Sequence, residues 1–80
     1  MVAAFVLIKV AQGVSWADSS AMHMALHAVP GVKGVHFLAG PTDIIAFVEV
    51  ADQKAMLDSL AKIGAVKGVG KTDTRMVWPV

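Results

Sequence analysis

An α+β domain of βαββαβ order is the fold class this sequence predicts, with a four-stranded antiparallel sheet carrying two helices on one face. Three observations predict it. Four segments rich in β-branched and aromatic residues are interleaved with two segments whose apolar residues recur at helical spacing. The tetrapeptide Val-Lys-Gly-Val stands at 32–35 and again at 66–69, each time after a helical segment, so the chain reads as two strand–helix–strand units. Finally, the first and third strand segments are apolar on both alternating sets, which two helices on one side of a sheet cannot cover.

Residues 2–11 (VAAFVLIKVA) have no helical period and carry Phe5 and Leu7 on one face, with Ala4, Val6, Ile8 and Val10 on the other. Gln12 and Gly13 end this strand. Ser15 then offers an N-cap and Asp18, three positions on, completes an S-x-x-D capping box whose carboxylate also suits the positive end of a helix. Met22, Ala25, Leu26 and Val29 follow at i, i+3, i+4 and i+7 as the core stripe, leaving Ser19, Ser20, His23 and His27 off it. Pro30-Gly31 stops the helix, which spans 15–29. Residues 32–39 are the second strand, Gly40-Pro41-Thr42-Asp43 a tight turn, and residues 44–50 the third strand. Asp52 is the N-cap of a second helix with Met56, Leu57, Leu60 and Ile63 as its buried stripe. Lys54, Asp58 and Lys62 form its solvated face. Gly64 and Gly68 break it, and residues 71–80 form the last strand, which Pro79 confines to an edge.

The composition says how such a fold must be completed. Eighty residues bury only roughly 60% of the surface the unfolded chain exposes, so the core is small and external support is expected. There are no cysteines, which excludes disulfides and thiolate metal sites. Apolar residues make up 56% and charged residues 16%, against about 45–50% and about 25% in ordinary domains. The surplus belongs at an interface, and the expected assembly is a homodimer packed sheet against sheet, a dimeric α+β barrel. The net charge is +1 and the basic residues are scattered singly, which argues against autonomous nucleic-acid binding. No apolar run reaches the roughly 18 residues of a membrane span, and residues 1–10 lack the pattern of a secretory signal. A soluble, cytoplasmic protein of one domain, residues 1–80, is expected.

The inventory for catalysis is thin: no tyrosine, no nucleophile elbow, no phosphate-binding loop and no carboxylates paired at a useful spacing. His23 and His27 stand at i, i+4 without the further ligands a metal requires and read as a solvated pair. Lys9, Glu49 and Arg75 interrupt neighbouring apolar strands and are expected to compensate one another at the interface. Trp16 and Trp78 read as packing anchors. Thr72 and Thr74 share one strand face, and Asp43 either closes its own turn or offers a carboxylate to a ligand.

Taken in order, Gly13, Pro30-Gly31-Val32, Gly40-x-x-Asp43, Ile44-Ile45-Ala46, Gly68-Val69 and Thr72-x-Thr74 resemble the ligand-binding domain of the Lrp/AsnC family, also called RAM, over essentially the whole chain. The chain looks like the stand-alone form, without the helix-turn-helix domain that full-length regulators carry. The resemblance implies a ferredoxin-like fold, dimers assembled into higher-order rings, and an amino-acid effector bound near contacts between dimers. It also implies a ligand site at Gly40, Asp43, Thr72 and Thr74, with Met76 beside them. A zwitterion would find an acceptor for its ammonium at Asp43 and donors for its carboxylate at the turn amides and threonine hydroxyls. No cofactor, metal or catalytic residue is implied. Regulation of transcription would then pass through full-length Lrp/AsnC regulators. The alternative is a small α+β barrel enzyme of monooxygenase or isomerase type, with substrate between sheet and helices and His36 or Glu49 as its polar group. A third reading is an oligomeric scaffold without a ligand.

Overall fold

The computed structural model describes residues 1–15, 18–38 and 42–78. The elements run β1 (Val2–Val10), α1 (Ser19–His27), β2 (Val32–Phe37), β3 (Ile44–Val50), α2 (Gln53–Gly64) and β4 (Val69–Met76). The four strands form one sheet in the order β2-β3-β1-β4, every neighbouring pair antiparallel. This is the ferredoxin-like arrangement that the sequence predicts.

Strand register explains the core. Paired residues share a face, so Phe37–Ile44–Ile8–Thr72 form one row across the sheet and Val35–Ala46–Val6–Thr74 the next. Ala4, Val6 and Ile8 of β1 and Ala46 and Val48 of β3 are completely buried under the helices, with Ile44 nearly so. Onto them α1 lowers Met22 and Leu26, and α2 lowers Met56 and Ile63. The opposite face holds Phe5, Leu7, Ile45 and Phe47, none of them buried; the Phe5 and Phe47 rings lie 5.0 Å apart and Phe5 is 43% exposed. The doubly apolar strands are thus covered on one side only.

Helix α2 starts as expected, with the Asp52 carboxylate accepting from Ala55 N at 2.8 Å. Its buried stripe needs correction: Leu57 is 59% exposed, while Ser59 is 3% exposed and donates its hydroxyl to Pro30 O at 2.7 Å. The positions 56, 59, 60 and 63 keep strict i, i+3, i+4, i+7 spacing, and a hydroxyl fits among them because a carbonyl lies within reach. Helix α1 is shorter than predicted. Ser15 and Asp18 do meet, but the Ser15 hydroxyl and amide both donate to the Asp18 carboxylate at 3.2 and 3.4 Å. The hydroxyl, spent as a donor on the carboxylate, makes no cap, and regular helix begins only at Ser19. Ala25 is exposed rather than buried. Strand β2 ends at Phe37, β4 runs from Val69 to Met76, and Trp78, expected to anchor packing, is 92% exposed. Trp16 lies outside the described residues.

Both units leave their helices by the same device. After α1, Val29 N donates to Leu26 O and Val32 N to Val29 O; after α2, Val66 N donates to Ile63 O and Val69 N to Val66 O. The offset is 37 positions, as from Val32 to Val69. The repeated Val-Lys-Gly-Val is offset by 34, as from Val32 to Val66, and so is out of register with the structural repeat: its first copy lies inside β2, and its second spans the turn before β4 and reaches only that strand's first residue. The true equivalents are Gly31 (φ 92°) and Gly68 (φ 98°), left-handed positions where a Cβ would also collide with Val50 and Met22 respectively.

Candidate functional site

Where β1 ends and β3 begins, the sheet and α1 separate enough to leave a pocket of about 300 Å³. That volume is at the low end of the roughly 300–1,000 Å³ typical of ligand sites. Its apolar wall comes from Val10, Val14, Met22, Phe37, Leu38 and Ile44; its polar groups are Ser15, Ser19 and Asp43. The position follows from the register. The last β1–β3 pair is Ile8 with Ile44, and the β1 ladder shifts between Lys9 and Val10 on its β4 side. Beyond that point Val10 has no β3 residue opposite it. Asp43 supplies the missing partner, its Oδ2 accepting from Val10 N at 2.8 Å, while Asp43 N donates to Ile8 O at 3.2 Å.

The Asp43 carboxylate therefore staples β1 to the start of β3, while its backbone carbonyl accepts from Leu38 N at 2.8 Å across the β2–β3 connection. Asp43→Ala is expected to destabilise the fold by about 1–3 kcal/mol, because it orphans a half-buried backbone donor. Asp43→Asn, which keeps an acceptor, is expected to recover most of that loss, as read from urea midpoints at constant slope.

The other expected site residues are not gathered here. Gly40 lies outside the described residues. Thr72, Thr74 and Met76 pair with Ile8, Val6 and Ala4 of β1, so they form one row on the helix-facing side of the edge strand β4. They share the pocket's face of the sheet, but β1 stands between them and Asp43, and none lines the pocket. Ser15, Ser19 and Met22 do line it; sequence reasoning spent Ser15 on capping and Met22 on the core and left Ser19 off the core stripe, and only the meeting of loop, helix and sheet reveals their position at the pocket.

His36 pairs with Ile45 and Glu49 with Ala3, on the face turned away from the helices, so neither reaches the pocket. His23 is half-buried, its ring edge-on to Phe37 at 5.5 Å and to His27 at 4.6 Å, so the histidine pair is only partly solvated. Among the described residues no group of three or more histidine, aspartate or glutamate side chains could hold a metal. Arg75 donates through Nε and Nη2 to Asp73 Oδ2 at 3.1 and 2.9 Å. That hydrogen bond, with the charge of Asp73, raises the guanidinium's pKa above its ordinary value. Arg75 thus takes a partner two residues away on its own strand, where the sequence reading expects Lys9, Glu49 and Arg75 to compensate one another. No helix among the described residues is long and apolar enough to cross a membrane.

Comparison with known proteins agrees with this architecture. A protein from Thermus thermophilus, TTHA0845, superposes with a TM-score of 0.82 at 28% identity, covering 100% of this chain and 96% of that one. AsnC from E. coli superposes with a TM-score of 0.81 at 22% identity, covering 99% of this chain and 53% of that one. A feast or famine regulatory protein from M. tuberculosis, complexed with L-methionine, gives 0.80 at 22% identity, covering 100% and 52%. The last two likenesses are of fold, and this chain spans about half of each protein. No curated protein sequence matches the chain. The family described as the Lrp/AsnC ligand binding domain matches residues 3–78, nearly the whole βαββαβ unit, and the chain belongs to that family.

Proposed function

We propose that this protein is a non-catalytic, effector-binding regulatory domain, a single unit over residues 1–80 that pairs sheet to sheet and binds an amino acid. The observation that carries the reading is the pocket beside Asp43, with a carboxylate and two hydroxyls set in an apolar wall. The carboxylate can accept from an ammonium and the apolar wall can take a side chain, two of the contacts a zwitterion needs. A protein of this fold holds L-methionine, which makes amino acids the first effectors to test. The uncovered Phe5, Leu7, Ile45 and Phe47 support pairing through the open face. Thr72, Thr74 and Met76 on the β4 edge are proposed to complete the site from a neighbouring copy in a higher-order ring, together with Gly40. Regulation of transcription would follow from mixed assembly with full-length regulators of the family.

A thermal-shift screen of the twenty amino acids tests this directly. A true effector at about 100 times its dissociation constant adds roughly 2.7 kcal/mol of stability. A rise in Tm with one group of amino acids is the expected result, and a flat response to all twenty would remove the effector reading.

A further inference from the structure

We infer that the outer face of α1 binds a soft, singly charged metal ion, Cu(I), through the imidazoles of His23 and His27 and the thioether of Met24. The sequence reading leaves the histidine pair short of further ligands, and the structure brings a third donor to it. At about 100° of rotation per residue, His27 falls between His23 and Met24 on the helix surface, so the three side chains share one arc of about 100°. The His23 and His27 rings already stand with centroids 4.6 Å apart. Two nitrogens at the roughly 2.0 Å typical of metal–imidazole bonds are at most about 4 Å from each other, which rings this close reach by rotation about χ2. His23 is half-buried, with its ring edge-on to Phe37 at 5.5 Å, so one donor of the pair is held by packing. Met24 is 72% exposed, and its unbranched, rotatable chain can swing its sulfur to the remaining position. A shallow recess of about 260 Å³ beside His23 and Met24 leaves room for the ion.

The donor set names the ion. Two neutral imidazoles and a thioether offer no anionic oxygen, and α1 carries no aspartate or glutamate between Ser19 and His27. Calcium and magnesium demand oxygen ligands, and structural zinc is held by four protein ligands, usually with thiolates among them. Thioether sulfur selects Cu(I), and imidazole suits copper as well. Because the third donor is a sulfur, the site forms no cluster of three histidine or acidic side chains. Helix α1 covers one face of the sheet while Phe5, Leu7, Ile45 and Phe47 lie on the other, so pairing through that open face leaves the site accessible. Binding changes no oxidation state and is independent of the effector reading above.

Titration of the full chain with Cu(I), kept reduced by ascorbate in the absence of oxygen, tests the assignment in competition with bicinchoninate. One Cu(I) per chain is expected, with nitrogen and sulfur neighbours in its X-ray absorption spectrum. Met24→Leu and His27→Ala alter exposed side chains and should leave far-UV circular dichroism unchanged. Each is expected to weaken binding at least about tenfold, since even second-shell changes at metal sites cost 10–100-fold. Copper left entirely with bicinchoninate would overturn the inference. So would an affinity unchanged in both variants, or a copper shell without sulfur. Zn(II) bound as tightly as Cu(I), with no loss in Met24→Leu, would overturn the choice of a soft monovalent ion.

Discussion

Phe47→Asp is expected to leave the domain folded but monomeric. Phe47 lies on the sheet face away from the helices, half-buried against Phe5 at 5.0 Å, in the middle of the patch completed by Leu7 and Ile45. In a single chain the new carboxylate would stay near water and cost little. Between two sheets it would be a desolvated charge without a partner, which costs several kcal/mol per ion and two such ions per symmetric dimer. Sedimentation at micromolar concentration should show wild type at twice the chain mass or a whole multiple of that dimer, and the variant at one. The thermal midpoint of wild type should rise with protein concentration and that of the variant should not, since association stabilises by mass action. Wild type sedimenting as one copy, with a concentration-independent midpoint, would end the case for sheet pairing.

Leu26→Ala is expected to have the largest effect on stability among single substitutions in α1. This helix buries only Met22 and Leu26 within its span, with Val29 just beyond, and Leu26 is completely buried. Truncating a buried leucine costs about 2–5 kcal/mol, a large part of the roughly 5–15 kcal/mol that holds a small domain together. At about 4–8 °C per kcal/mol for a domain of this size, a fall in Tm of roughly 10 °C or more should follow. A loss under about 1 kcal/mol in denaturant unfolding would mean that α1 is held chiefly by contacts outside this core. Because Met22 lines the pocket from the same helix, loosening α1 should also weaken any effector bound there.

Long, strongly patterned segments were legible from the chain alone. β3 falls at residues 44–50 as its apolar run predicts, and Asp52 caps α2 because a side-chain acceptor placed before a periodic segment has one obvious donor to meet. Boundaries set by competition were less so. Ser15 has a hydroxyl that can accept from the helix or donate to Asp18, and the outcome depends on a loop geometry that spacing does not encode. Leu57 left its expected buried place, and Ser59, to which the sequence reading gave none, is buried because Pro30 O, from a distant turn, accepts its hydroxyl. The repeated tetrapeptide drew attention to a real duplication and misaligned it: the constraint repeated by the fold is a left-handed glycine four residues after each helix, not an identical string.

The candidate site was legible only as a collection of residue types. Asp43 was singled out, yet its carboxylate acts first on Val10 N, a partner 33 positions away. Thr72 and Thr74 do share a face, but whether they meet Asp43 within one chain depends on strand order, and β1 intervenes. By itself the sequence determined the class of fold, the element order, and an excess of apolar surface that one copy cannot cover, because these follow from periodicity and composition. The tertiary structure alone decided which residues border the pocket and which hydrogen-bond partner each polar side chain takes. Those depend on distances between segments remote in the chain, and local pattern carries no information about such distances.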